Sequence, residues 1–326
     1  MKSLSGRSYL RSTAPIFIAF AGVAAPFSLL AQDIDQSEWN HFGLDYRLGF
    51  NIQAKFSEHS INYIDGFVHD DSSGNAGGQT WNWGYQNSSQ ISGNNLLLHG
   101  INYPGGGQNQ TDDPQQGFEL SYVRDFGHES WGRWGLKAAF GYTDISIKNN
   151  SPISGNLITD TYSLGGIVPP IAPYSGSFSG HGPVINRSPS SSLSTPAVFT
   201  GSRSVDASLF DFHLGPTVSV NLSQRFSLEA GGGLALGVVD STFAFNETAP
   251  TSGSSASTAG GTTDTGFQAG VYLEGGFAYR LTHSYSIYGG AEFEYLGSFD
   301  QSVGSHSVEL DLSQSVFFVL GMQFHF

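Results

Sequence analysis

Residues 41–56 alternate without a break. Phe42, Leu44, Tyr46, Leu48, Phe50, Ile52, Ala54 and Phe56 are apolar, and His41, Gly43, Asp45, Arg47, Gly49, Asn51, Gln53 and Lys55 lie between them. A period of two places the apolar set on one face of a β-strand. The pattern recurs over 116–125, 133–147, 205–222, 225–241, 265–281, 284–299 and 306–326, the last carrying Val316, Phe318, Leu320, Met322, Phe324 and Phe326. The chain is thus expected to be all-β, with eight amphipathic strands. They exceed the ~5–6 residues usual in soluble sheets and match the ~9–11 that cross a bilayer. Gly231, Gly233, Gly237, Gly270 and Gly276 line polar faces, as a crowded concave interior requires.

The connections alternate too. Those near 126–132, 223–224 and 281–284 are short, whereas 57–115, 148–204 and 242–264 are long. Short turns on one rim, long loops on the other and an even strand count predict a closed antiparallel up-and-down transmembrane β-barrel over 41–326. Hydrocarbon offers no partner for an open sheet edge, so the ring has to close. Trp131, Trp134, Tyr279 and Tyr285 are expected in a lower aromatic girdle, and Tyr142, Phe267, Tyr295 and Phe299 in an upper one. If 60–68 and 94–103 joined the wall, ten or more strands would make a porin-like channel.

Composition adds an address. Met1 to Ala31 carries Lys2, Arg7 and Arg11, then an apolar run from Ile16 to Leu30. This has the layout of a cleaved signal peptide, followed by a periplasmic segment at 32–40. The full chain has 326 residues and a net charge of −14. Loss of a basic leader makes it more acidic still, so nucleic acid is excluded as a partner. There is no cysteine, so an exported chain forgoes disulfides.

The leader, the eight alternating strands and the closing "GMQFHF" resemble the small outer-membrane β-barrels of the OmpA/OmpX type, over residues 40–326 apart from the two longest loops. The resemblance implies residence in the outer membrane of a Gram-negative-type bacterium, with its lipids and the barrel-assembly machinery as partners. It also implies that Gly321, Phe324 and Phe326 act as an assembly signal, although Val319 stands where a polar residue is usual. No counterpart is expected of the periplasmic peptidoglycan-binding domain that OmpA carries after its barrel.

Inward positions include Asp45, Arg47, Lys55, Glu119, Lys137, Asp211, His213, Glu229, Glu274, Arg280, Glu292 and Glu294. Small barrels are filled inside, and buried charges have to be paired. Asp45, Arg47, Glu119, Lys137, Glu229, Glu274, Arg280 and Glu292 are therefore expected as an ion-pair plug, with Arg47 and Lys137 pairing to Glu119, Glu229 and Glu274. A surface hydrolase is the rival reading. His69, Asp70, Asp71, Asp112 and Asp113 lie in the first long loop, and "GHES" at 127–130 falls on a short turn; neither spacing demands chemistry. "DDSSGN" at 70–75 lacks the ligand order of a calcium loop and reads as a solvated turn. Trp81, Trp83 and Tyr85 offer stacking surface to an unidentified extracellular ligand, or else pack their own loop. The 165–176 segment is expected over the mouth, and 242–264 as a mobile low-complexity loop. No catalytic, cofactor-binding or metal-binding residue is expected, and the role is structural or in surface recognition.

Overall fold

The computed structural model describes residues 39–74, 76–103, 107–129, 131–251 and 254–326. The expected signal peptide and the segment up to residue 38 lie outside this description. Eight strands form the ring: β1 (Asn40–Phe50), β2 (Gln115–Glu129), β3 (Gly132–Asn149), β4 (Ser191–Asn221), β5 (Phe226–Thr251), β6 (Ser254–Arg280), β7 (Tyr285–Tyr295) and β8 (Ser315–His325). Each pairs antiparallel with its sequence neighbours, and β1 pairs with β8 from His41↔His325 to Phe50↔Val316. At that seam the Asn40 and Phe326 backbones exchange N–H to C=O bonds of 3.1 and 3.0 Å. The meander closes with eight strands.

The candidate extra strands do not widen it. Asn95–Asn102 pairs with Ile153–Ser163, which pairs in turn with the upper part of β4 through Thr161↔Ser191 to Ile153↔Phe199. This forms a wing beside the mouth. Among the described residues no helix is long and apolar enough to cross a membrane; the crossing is made by strands.

Within the ring the alternation behaves as expected. Leu44, Tyr46, Leu234, Leu320 and Met322 are exposed outward, while Asp45, Arg47 and Glu119 are buried inward. Trp131, Trp134, Tyr279 and Tyr285 are also exposed, as a rim girdle demands. Tyr285 and Phe324 contact each other at 5.2 Å between centroids, and Phe324 stacks on Phe326 at 5.6 Å.

Above the ring the pattern reverses. Asn51 adopts φ 62° and Gly297 φ 84°, left-handed conformations that Asn and Gly tolerate best. After Asn51 the buried positions shift from odd to even: Ile52, Ala54, Phe56 and Glu58 turn inward. Past Gly297 they shift from even to odd, burying Phe299 and Gln301. Two expectations are thereby corrected. Phe299 is not in an upper girdle, and Lys55 is not lumenal: its side chain is half exposed, 3.9 Å from Glu309. The stretches 41–56, 284–299 and 306–326 are each two strands rather than one.

The upper pieces form a bent four-stranded sheet in the order Ser298–Val303, His306–Asp311, Gln53–Glu58, Gln108–Gln110. Its inner face, with Phe56, Phe299, Val308 and Leu310, packs against Ile145, Val205, Leu209, Val239 and Phe243 from the wall. An apolar core thus sits directly above a polar lumen.

The connection 242–264 is also corrected. β5 and β6 stay paired from Phe226↔Tyr279 to Thr251↔Ser254. Phe243 and Phe245 supply the inward face, and Gly260 leaves room for the Phe245 ring, whose Cε1 would lie 2.8 Å from an added Cβ. At ~3.3 Å per residue the 26 residues of β5 span roughly 85 Å, far more than the ~25 Å apolar band of such barrels.

The outward stripe yields a prediction. Val271 is half exposed on β6, and Val271→Arg is expected to destabilise the lipid-embedded barrel by ~2–4 kcal/mol if near the midplane. Urea unfolding in lipid vesicles, followed by heat-modifiable gel mobility, measures it.

Candidate functional site

The lumen holds a charged cluster contributed by six strands. Arg47 on β1 is fully buried; its Nη1 donates to Asp211 of β4 at 2.9 and 2.8 Å, and its Nη2 donates to Glu292 of β7 at 2.8 Å. Glu294 lies 3.8 Å from the same guanidinium. The Phe317 ring of β8 covers it, with 3.9 Å from Cζ to centroid, a cation–π contact joining the charged layer to the apolar core above. Lys137 on β3 bridges Glu119 of β2 at 2.8 Å and Glu274 of β6 at 2.5 Å. His213 on β4 approaches four carboxylates, and Tyr272 of β6 stacks on its ring at 4.4 Å. Gly141 makes the Arg47 bridge possible: an added Cβ would stand 2.0 Å from Arg47 Nη1 and 2.1 Å from Asp211 Oδ1.

The expected pairing is thus half corrected. Lys137 joins Glu119 and Glu274, but Arg47 joins Asp211 and Glu292. Glu229 accepts from Gln323 Nε2 at 3.0 Å, lower in the barrel. Arg280 sits opposite Ser286 near a short turn, six residues along β6 from Glu274. Asp45 is buried opposite Glu119. Gly321 is held by close approach, since an added Cβ would meet Leu44 O at 2.1 Å and Asp45 Oδ1 at 2.2 Å. Asp211, His213 and Glu294 lie inward by alternation, but spacing alone does not pick them as partners. Gly141 was missed, because a glycine beside an ion pair looks like any lumenal glycine.

A second polar node lies above the lumen, beyond the membrane span. Arg203 meets Glu58 through Nε at 2.6 Å and Glu247 through Nη2 at 2.6 Å. Glu247 also accepts from the Tyr103 hydroxyl at 2.7 Å and lies 3.2 Å from His306 Nε2. Burial pushes the Glu247 carboxyl up, but His306, Tyr103 and Arg203 outweigh it and hold the group below the ordinary carboxylate range. Burial dominates at Glu58 and holds it above, against the opposing pull of Arg203.

The loop aromatics pack rather than project. Trp83 and Tyr85 are buried with Leu96, Leu98, Tyr162, Leu164 and Ile185. Trp83 Nε1 donates to Pro183 O at 2.7 Å, and the Tyr85 hydroxyl donates to Pro170 O. Trp81 is partly buried against His181, 5.2 Å between ring centroids. Asp71 accepts from the Ser73 N–H and hydroxyl and from Trp81 N–H, consistent with a turn. His69 stacks on Phe67, and Asp113 accepts from Asn51 N–H.

A closed eight-stranded meander with an apolar outer belt and a charged, filled lumen is a transmembrane β-barrel of the outer-membrane type. Solved structures similar to this chain include Ail, the attachment invasion locus protein of Yersinia pestis, at 10% identity and TM-score 0.31, covering 88% of this chain and 99% of that one. They also include Neisserial surface protein A, at 11% identity and TM-score 0.30, covering 88% and 97%. The outer membrane protease OmpT of Escherichia coli is similar at 11% identity and TM-score 0.35, covering 89% and 98%. No protein-family model matches the chain, and no curated protein does.

Two predictions come from these clusters. Arg47→Ala leaves Asp211 and Glu292 without their shared cation, and a loss of ~3–5 kcal/mol is expected; Arg47→Lys keeps charge but not the fork and is expected to recover only part. The urea midpoint decides both. At the upper node the sign follows the pKa. Glu247, lowered on folding, contributes stability above the ordinary carboxylate pKa and loses it as pH falls through its folded value. Glu58, raised on folding, contributes below the ordinary value and loses this as pH rises through its folded value. Acidification through the Glu247 transition is expected to speed hydrogen exchange around Glu247, and Glu247→Gln to abolish that step.

Proposed function

We propose that the protein is a closed, non-catalytic outer-membrane barrel that anchors a built extracellular structure for surface contact. The carrying observation is the Arg47 bridge: a fully buried guanidinium linked across the lumen to β4 and β7, with the Phe317 ring upon it. An open water path has no place for that arrangement. The apolar core beneath the bent sheet supports the same reading from above. A non-catalytic role is supported by the hydrolase candidates, which serve turns and packing: Asp71 organises its loop, Asp113 holds the Asn51 reversal and His69 lies against Phe67.

The contact surface in this reading is the outer end of the wing. Val168 and Ile171 are 87% and 93% exposed, unlike the buried Trp83 and Tyr85 beneath them. Outer-membrane lipids surround the belt, and Gly321, Phe324 and Phe326 serve the assembly machinery.

Single-channel recording of the purified barrel in planar bilayers tests the closed lumen. The expected result is an absence of steady openings, and a large steady conductance would sink the proposal. Protease added to intact cells tests the orientation: cleavage is expected within 165–190, while the 281–284 turn is spared.

A further inference from the structure

The lumen has more anions than its fixed cations neutralise. Asp45, Glu119, Asp211, Glu274, Glu292 and Glu294 are gathered around two fixed cations, Arg47 and Lys137, with the titratable His213 among them. The imbalance is focused at one atom. His213 is fully buried, and its Nε2 lies 3.0 Å from Glu294 Oε1. A proton on Nε2 directed at that carboxylate leaves the Nδ1 lone pair bare. Nδ1 faces Glu292 Oε2 at 3.5 Å and Glu119 Oε2 at 3.8 Å. Neither Nδ1 nor Glu119 Oε2 has a hydrogen-bond partner among the described residues. Three electron-rich atoms converge there.

We propose that Glu119, His213 and Glu292 form a divalent-cation site in the lumen, taking a first-row transition ion such as Zn²⁺ through His213 Nδ1 and one carboxylate oxygen from each glutamate.

The geometry supports this in three ways. The donors, one from each residue, lie within 4.8 Å of one another. A tetrahedral zinc site with ~2.0–2.1 Å bonds spaces its donors ~3.3–3.4 Å apart, and the two pairs about His213 Nδ1, at 3.5 and 3.8 Å, stand within a few tenths of an ångström of that spacing. Each ligand is also already oriented by an outer partner: Glu119 Oε1 by Lys137, Glu292 Oε1 by Arg47 and His213 Nε2 by Glu294. Such partners are what fix a metal ligand's direction and, for histidine, its tautomer. Finally, one imidazole among carboxylates suits zinc and its first-row neighbours; calcium prefers six to eight oxygens. The ion would tie β2, β4 and β7 together and offset the surplus negative charge. The alternation gave no reason to expect a metal, so this reverses the expectation drawn from sequence.

The rival occupant of the gap is a proton on Nδ1. The test strips the full-length protein in detergent with a chelator, titrates it with Zn²⁺ alone by equilibrium dialysis, and records zinc X-ray absorption. One saturable ion per chain, a shell of one imidazole among oxygens, and at least tenfold weaker binding in Glu119→Gln support the site. His69→Ala and His181→Ala, on the loops, are expected to bind as the parent does. No saturable binding, a shell with two imidazoles, or undiminished binding in a folded Glu119→Gln overturns it. Heat-modifiable mobility reports whether Glu119→Gln folds; if it does not, binding by the parent and its absorption spectrum decide.

Discussion

Hydrocarbon leaves the backbone a single solution: every N–H and C=O within the span has to find its partner in the sheet. For this chain that means a ladder which never ends, and the β1–β8 seam is where the condition is met. Once the ring is closed, each strand has one face to lipid and one to a narrow interior. Side chains at Phe42, Leu44 and Tyr46 go outward, and those at Asp45 and Arg47 share a volume too small for bulk water. Closure therefore creates the electrostatic problem that Asp211, Glu292 and Gly141 solve around Arg47.

The same chain then leaves the membrane and changes solvent. A strand that kept its phase would carry its lipid-facing stripe into water and its polar face into the space above the lumen. Left-handed backbone at Asn51 and Gly297 prevents this by turning the apolar residues inward. Ile52 and Phe56 share parity with Phe42 but have the opposite fate. The result is a soluble-type core seated on a membrane-type one, with Arg47 and Phe317 in contact at the join.

The ring was legible because period two, sustained over ten residues, has few other physical meanings, and because loop lengths alternate with it. The reversal was not: Asn51 falls on the polar face as any asparagine would, and the apolar alternation continues through it unchanged. The 242–264 stretch misled for a related reason. Serine, threonine and glycine read as low complexity, yet a ladder needs only backbone groups and a face to cover, which Phe243 and Phe245 supply. In the lumen, the inward set could be listed from alternation. Partner choice depended on stagger between strands two or three apart around the ring, as in Arg47 with Glu292 and Asp211, which no local spacing encodes. The tryptophans at 81 and 83 illustrate the remaining gap: composition shows that they can stack, but not whether on a ligand or within the loops, where Trp81 meets His181 and Trp83 meets Tyr85 and Tyr174.

The join between the two cores has a thermal consequence. Burial of apolar surface weakens on cooling, and the desolvation penalty of charged groups, which falls on heating, grows on cooling as well. The layer of Phe56, Phe243 and Leu310 and the layer of Arg47, Asp211 and Glu292 therefore lean in the same direction, each holding less firmly as the molecule is cooled. They share β3 and β4, which carry Ile145 and Val205 in the upper layer and Lys137 and Asp211 in the lower, so neither can loosen alone without loading the other. The molecule is in this sense cold-sensitive, with cooling straining both storeys of one continuous sheet at once.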